Sequence, residues 1–204
     1  MNGINYDHCY WQNDLVRLRA MRPEDWEEHY HDRFDSEARL LLQYEIELPP
    51  TEDNSRKSAE QFSGISRHEG RLMFTIEDLQ GRQVGGFNLS SVDERNRTFH
   101  IGIHIGRDHR GKGYGTAAMR ILLAYAFFER HLNKYHASLL DTNAASAAMM
   151  KKLGCLQEGL QRQEVYTGER YHDIVLFRLT KEDFVANERT VYGIDHIEAE
   201  NLVA

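Results

Sequence analysis

Hydrophobic and polar residues change period along this chain, and each period predicts an element. Leu15 to Arg19 alternates and predicts a short strand. Arg22-Pro23-Glu24-Asp25-Trp26 reads as a turn entering a helix, because proline and acidic residues suit a first helical turn. Tyr44 to Asp53 holds Pro49-Pro50 and predicts a loop between helices. Ser55 to Glu69 predicts a polar helix with Gly70 as its stop. Strands follow at Leu72–Ile76, at Gln83–Ser91 after a Gln80-Gly81 turn, and at Thr98–Gly106. In the last of these, Phe99, Ile101, Ile103 and Ile105 share one face, and His100, Gly102 and His104 the other.

The strongest helical stripe spans Thr116 to Leu132. Ala118, Ile121, Leu122, Tyr125, Phe128 and Leu132 recur at helical spacing, widened by Met119, Leu123 and Phe127, so this helix should be buried against a sheet. Tyr135–Leu140 predicts a strand. Asn143 can cap a short helix that ends at Gly154 with Lys151 and Lys152 in its last turn. Val165-Tyr166 and Ile174–Leu179 read as final strands around a Gly168 turn, and the charged last stretch as a helix or tail. A run of antiparallel hairpins followed by helices indicates an α+β fold. One domain is expected over 1–204, with a core at about 15–184 and a tail at 185–204.

Composition narrows the function classes. The chain has 25 Lys and Arg against 32 Asp and Glu, a net charge of −7, which points away from a nucleic-acid partner. The longest apolar run, Ile121 to Phe128, is far short of a membrane helix, and the first residues show no secretory signal, so a cytoplasmic protein is expected. Two distant cysteines, Cys9 and Cys155, make neither a disulfide framework nor a four-cysteine zinc site. His100, His104 and His109 lie close together, but there is no HExxH and no Cys pair, so no metal is expected.

Candidate chemistry concentrates in one loop. Arg110-Gly111-Lys112-Gly113-Tyr114-Gly115-Thr116 lies between a strand and the long helix. Glycines at alternate positions let the backbone approach a ligand, and the helix N-terminus adds unpaired N–H groups, so a phosphate or pyrophosphate is the natural guest. A P-loop would need Ser or Thr where Gly113 stands, and a dinucleotide fold would need a different glycine spacing. A plain solvated glycine turn is the remaining reading.

Arg110-x-x-Gly113-x-Gly115 matches the R/Q-x-x-G-x-G/A pyrophosphate loop of the GNAT acetyltransferases. The strand TFHIGIHI, the loop, the helix TAAMRILLAYAFF, the strand YHASLLDT, Asn143-x-x-Ser146 and Lys152-Leu153-Gly154 follow in that family's order. The chain therefore resembles that family over about Leu15 to Phe184, and Tyr171-His172-Asp173 resembles its RimJ/RimL branch. The resemblance implies a central mixed, mostly antiparallel sheet flanked by helices, with acetyl-CoA as co-substrate. It implies transfer of the acetyl group to a primary amine: a protein N-terminus, a polyamine or a small amine. A non-catalytic acyl-CoA sensor on the same fold is the alternative, and a homodimer is compatible.

The same resemblance assigns residues. The Gly102–Gly106 strand would splay from the strand near Leu139–Asp141 and admit the pantetheine arm. Ile103, His104 and Ile105 would line that arm, and Arg110, Gly111, Lys112, Gly113, Tyr114, Gly115 and Thr116 would wrap the pyrophosphate. Asn143 would hydrogen-bond the pantetheine region, and Lys152 either faces the nucleotide end or is an ordinary helix C-terminal cation. His100 stands where many relatives carry Glu; it can act as the base or simply face solvent. Met150 replaces a common Tyr acid, which leaves Ser146 as proton donor or as a first-turn residue. Glu164 lies one residue off the position of an acid in some relatives. Glu45 and Glu47 can attract a cationic acceptor or merely solvate a loop, and Cys155 reads as packing.

Overall fold

The computed structural model describes residues 5–6, 8–64 and 70–192. Seven strands form one sheet in the order β1-β2-β3-β4-β5-β7-β6. They are β1 (Val16–Ala20), β2 (Leu72–Asp78), β3 (Gln83–Asp93), β4 (Thr98–Ile105), β5 (Lys134–Leu140), β6 (Leu156–Thr167) and β7 (Arg170–Thr180). Every neighbouring pair is antiparallel except β4 and β5. The helices are α1 (Trp26–Asp32), α2 (Ser36–Gln43), α3 (Glu52–Phe62), α4 (Tyr114–Ala124), α5 (Ala144–Lys152) and α6 (Lys181–Tyr192).

The core lies between the sheet and α4. Met119, Ile121, Leu122 and Leu123 are fully buried, as the all-round apolar stripe requires. Phe99 of β4 meets the Phe127 ring edge-on at 5.5 Å, and Phe127 in turn meets Phe184 of α6. The expected long helix starts two residues earlier, at Tyr114, and after Ala124 widens into a π turn over Tyr125–Glu129. There Tyr125 packs on Trp11, 4.9 Å between centroids.

Three boundaries differ from the sequence reading. The first helical region is two helices, α1 and α2, because Asp35 leaves the helix to cap α2, its carboxylate accepting from the Ala38 N–H at 3.3 Å. The expected polar helix is α3 and begins at Glu52, capped by Thr51; residues 65–69 of that expectation lie outside the described ones. The last two strands are a long hairpin rather than short segments. The mostly exposed, polar β6 hid its length from a hydrophobic pattern.

The ordered core also runs past Phe184. Glu188 of α6 is fully buried and pairs with Arg120 of α4 at 2.5 Å, so part of the expected tail is a docked helix. Removing one partner from such a buried pair typically costs about 3–5 kcal/mol. Residues 193–204 lie outside the described ones. Cys155 is buried, and desolvation pushes its thiol up to about 12, as a packing residue requires.

Candidate active site at the split between two parallel strands

β4 pairs with β3 along its length, from Ile105 opposite Gly85 to Thr98 opposite Asp93. With β5 it pairs only at Thr98–Lys134, Phe99–Tyr135 and His100–His136. Beyond that point the strands part, and a gap opens toward the glycine-rich loop.

The strand alternation fixes which backbone groups line this gap. The Gly106 N–H donates to Val84 O of β3 at 3.0 Å, and a Cβ placed on Gly85 would lie 2.3 Å from His104 O. The even-numbered residues of β4 therefore aim their backbone groups at β3. Ile101, Ile103 and Ile105 aim theirs at the gap, and Ile105 O indeed accepts from Arg110 Nε at 3.0 Å. On β5, the Lys134 N–H reaches Arg97 O, so His136 and Ser138 face β4 and Ser138 C=O points into the gap.

The alternation separates His104 from the isoleucines. Its backbone serves β3, and its ring sits 3.3 Å from Asp32 Oδ2 of α1. His29 of α1 lies over Gly86 beside it, and the buried Nε2 atoms of both rings have no hydrogen-bond partner among the described residues. Burial holds the His29 pKa below its ordinary value. His104 is thus a residue of the α1 face, not a lining of the gap. The alternating side chains already put it on the His100 face, but its partners were not legible.

The loop is built as an anion cradle. Gly111 and Gly113 have φ of 75° and 88°, the left-handed region that glycine occupies without strain. Gly113 caps α4, and Ala117 is the first residue whose N–H finds a helical acceptor, Gly113 O at 3.0 Å. No described group accepts from the N–H groups of Gly111, Lys112, Gly113, Tyr114, Gly115 or Thr116. Together with the helix dipole they present free donors where an anion is favoured. Gly115 packs tightly: a Cβ there would meet Met149 Sδ at 3.4 Å.

The loop's cations are committed elsewhere. Arg107 and Arg110 both bind Asp35, at 3.0 and 2.7 Å, and Lys112 Nζ donates to Asp108 O. The Arg107 hydrogen bonds hold the buried Asp35 carboxyl well below the usual carboxylate range. Asp35 was not singled out in the sequence, where it is one acid among several in a polar stretch.

His100 and His136 close the narrow end of the gap, their rings stacked with centroids 5.5 Å apart. The His100 side chain is exposed; partial desolvation first, and the His136 ring second, lower its pKa from the ordinary value. Asn143 Oδ1 caps α5 by accepting from the Ser146 N–H at 3.0 Å, which leaves the Asn143 amide and the Ser146 hydroxyl for other work. Lys152 is exposed in the last turn of α5, and its carbonyl accepts from Asn187. Glu164 is exposed on β6, two strands from β5, beside the bulge where Gln163 has a φ of 53°. Glu47 is held by Arg33 and Arg39 at 3.3 and 2.6 Å, while Glu45 is exposed. Among the described residues, no three His, Cys, Asp or Glu side chains converge as a metal site, and no helix is long and apolar enough to cross a membrane.

Comparison with known proteins bears on this arrangement. The family model described as the acetyltransferase (GNAT) domain matches residues 16–156. YdaF of Bacillus subtilis (strain 168), provisionally named a ribosomal N-acetyltransferase, is 29 % identical over 178 residues, covering 84 % of this chain and 94 % of that protein. A solved structure described as a probable acetyltransferase is 28 % identical with a TM-score of 0.73, covering 84 % and 96 % of the two chains. The fold also matches the spermidine N-acetyltransferase of Vibrio cholerae, solved with CoA and spermine, at a TM-score of 0.75 and 19 % identity over 85 % of this chain and 99 % of that one. A split sheet with an amide-lined gap, a phosphate cradle at its mouth and this family match together identify the chain as a member of the GNAT family, an acetyl-CoA-dependent N-acetyltransferase.

Proposed function

We propose that the acceptor is the α-amino group of a peptide or protein N-terminus, and that His100 takes its proton. The observation that favours a peptide over a polyamine lies on the loop after α2. A polycation needs several unpaired acids, yet of the two on this loop Glu47 is already neutralised by Arg33 and Arg39, which leaves the exposed Glu45 alone. Beside it, Ile46 and Leu48 are exposed, which suits the side chains that follow a peptide N-terminus.

Acetyl-CoA supplies the activated acetyl thioester. The N–H groups of Gly111 to Thr116 hold its phosphates, with Arg110, Lys112 and Lys152 contributing charge. The Ile103 and Ile105 backbones and the Asn143 amide line the arm, and the Ile103 N–H faces the side where negative charge develops on the acetyl oxygen. His100 accepts the amine proton at the narrow end of the gap. The Ser146 hydroxyl donates to the departing sulfur. Glu164 stands apart on the edge strand and has no step in this scheme.

The test is CoA release with a peptide panel beside spermidine and spermine. Peptides should be favoured by about tenfold or more in kcat/KM, the discrimination a few apolar contacts supply. Equal or better use of polyamines overturns the peptide reading. His100→Gln should lower kcat by about a hundredfold, with CoA affinity unchanged; an unaltered kcat assigns the proton elsewhere.

A further inference from the structure

α2 is fastened to both lips of the gap. At its N-terminus, Asp35 caps the helix and binds Arg107 and Arg110, and the Arg110 Nε also donates to Ile105 O on the β4 lip. At its C-terminus, Tyr44 has a φ of 64°, uncommon for a bulky residue, and its phenol donates to Ser138 O on the β5 lip at 2.6 Å. The Tyr44 phenol oxygen also lies 3.1 Å from the Ser138 hydroxyl. Eight helical residues span about 12 Å, enough to bridge two strands that have parted.

Both fastenings use the same kind of group. Ile105 O and Ser138 O are backbone acceptors that the missing β4–β5 pairing would have satisfied. They also border the gap between the loop and the His100–His136 end, where an arm carrying amide N–H groups would run. An exposed Arg110 and a half-buried Tyr44 hold them instead.

We propose that α2 is a strap across the gap, and that Tyr44 and Asp35 compete with the cofactor for it. Acetyl-CoA displaces the Tyr44 phenol from Ser138 O, and its pyrophosphate draws Arg110 away from Asp35 and Ile105 O. Tyr44 and Asp35 are positioning residues on this view: they set cofactor affinity. The proposal rests on the gap being the acetyl-CoA channel.

The test measures affinity in the opposite direction from a supporting contact. The full chain, Tyr44→Phe and Asp35→Asn are titrated by calorimetry with CoA and with 3′-phospho-ADP, which carries the pyrophosphate but no arm. Asparagine caps a helix as well as aspartate does, so Asp35→Asn removes the charge and keeps the cap. Tyr44→Phe should tighten CoA by about three- to tenfold, the net worth of one hydrogen bond, and leave 3′-phospho-ADP unchanged. Asp35→Asn should tighten both ligands. Hydrogen exchange at the α2 amides should rise when CoA is added to the unaltered protein.

Unchanged or weaker CoA binding in Tyr44→Phe, or exchange at α2 that falls on CoA addition, overturns the strap. If the unaltered protein does not bind CoA at all, the channel reading fails first and the strap with it. Normal binding by the unaltered protein with weakened variants removes the strap alone.

Discussion

The two edges of β4 carry one backbone in two ways. Toward β3 it is paired along its length, and Gly85 lies so close that a single added carbon would strike His104 O at 2.3 Å. Toward β5 it pairs at three positions and then leaves its odd-numbered amides to whatever enters the gap. The first edge is closed by main-chain hydrogen bonds and tolerates no added volume. The second is held together by side chains, Tyr44 and Arg110, which can let go. A buried backbone group must be paired, so a sheet that parts strands for a ligand needs temporary partners for them.

Substitutions at each edge should separate these roles. The largest effect belongs to the open edge. Gly113→Asp puts a carboxylate and a side chain where φ is 88° and a phosphate must sit. CoA affinity should fall by about a hundredfold or more, since the charge opposes the anion and the N–H cradle is distorted. Calorimetry checks this; the melting temperature should also fall by about 2–4 °C, because a side chain is strained at this φ even though its Cβ meets only Leu15 Cδ1, at 3.5 Å.

The paired edge gives the reverse pattern. Gly85→Ala should destabilise the fold by about 2–3 kcal/mol, because backbone rather than a flexible side chain must shift. Denaturant unfolding measures the loss, and the molecules that remain folded should still bind CoA. A variant that loses CoA binding at full stability would make this edge part of the site as well.

The smallest expected effect is a pH dependence at the α1 face that covers β3 and β4. The folded pKa of His29 lies below its ordinary value of 6.5 because burial penalises the imidazolium. As pH falls below that value the unfolded chain takes up the proton first, so stability falls. Between pH 7.5 and 5 this group should therefore make the fold progressively less stable. His29→Gln should flatten the dependence of melting temperature on pH in that window, though not abolish it, because the pKa values of His100 and His136 are lowered too. The depressed Asp35 carboxyl acts only in stronger acid, below its ordinary range. An unaltered slope in His29→Gln would falsify the assignment to His29.

Much of this was legible in the chain. TFHIGIHI showed a strand with two unlike faces, and both appear: isoleucines packed against the core, His104 beside Asp32 of α1 and the exposed His100 stacked on His136. The alternating glycines showed the loop because left-handed backbone leaves a residue-level mark. Asn143 was readable as a cap, and it caps. Less was legible on β6, an edge strand of mostly exposed polar residues with no apolar alternation, whereas Ile174–Leu179 of β7 was readable. The Asp35 break between α1 and α2 was missed because a capping residue inside a polar stretch looks like any other acid.

What the sequence determined by itself is the set of local choices: period, cap, turn and the cradle of free amides at the start of α4. Each depends on residues a few positions apart, so composition and spacing carry it. What only the tertiary structure decided is which partners these elements meet. Tyr44 finds Ser138 across 94 positions, and Asp35 finds Arg110 across 75. Those contacts follow from strand order and from which way each carbonyl points. A one-residue change of register would reverse every one of those directions, and no local pattern records it.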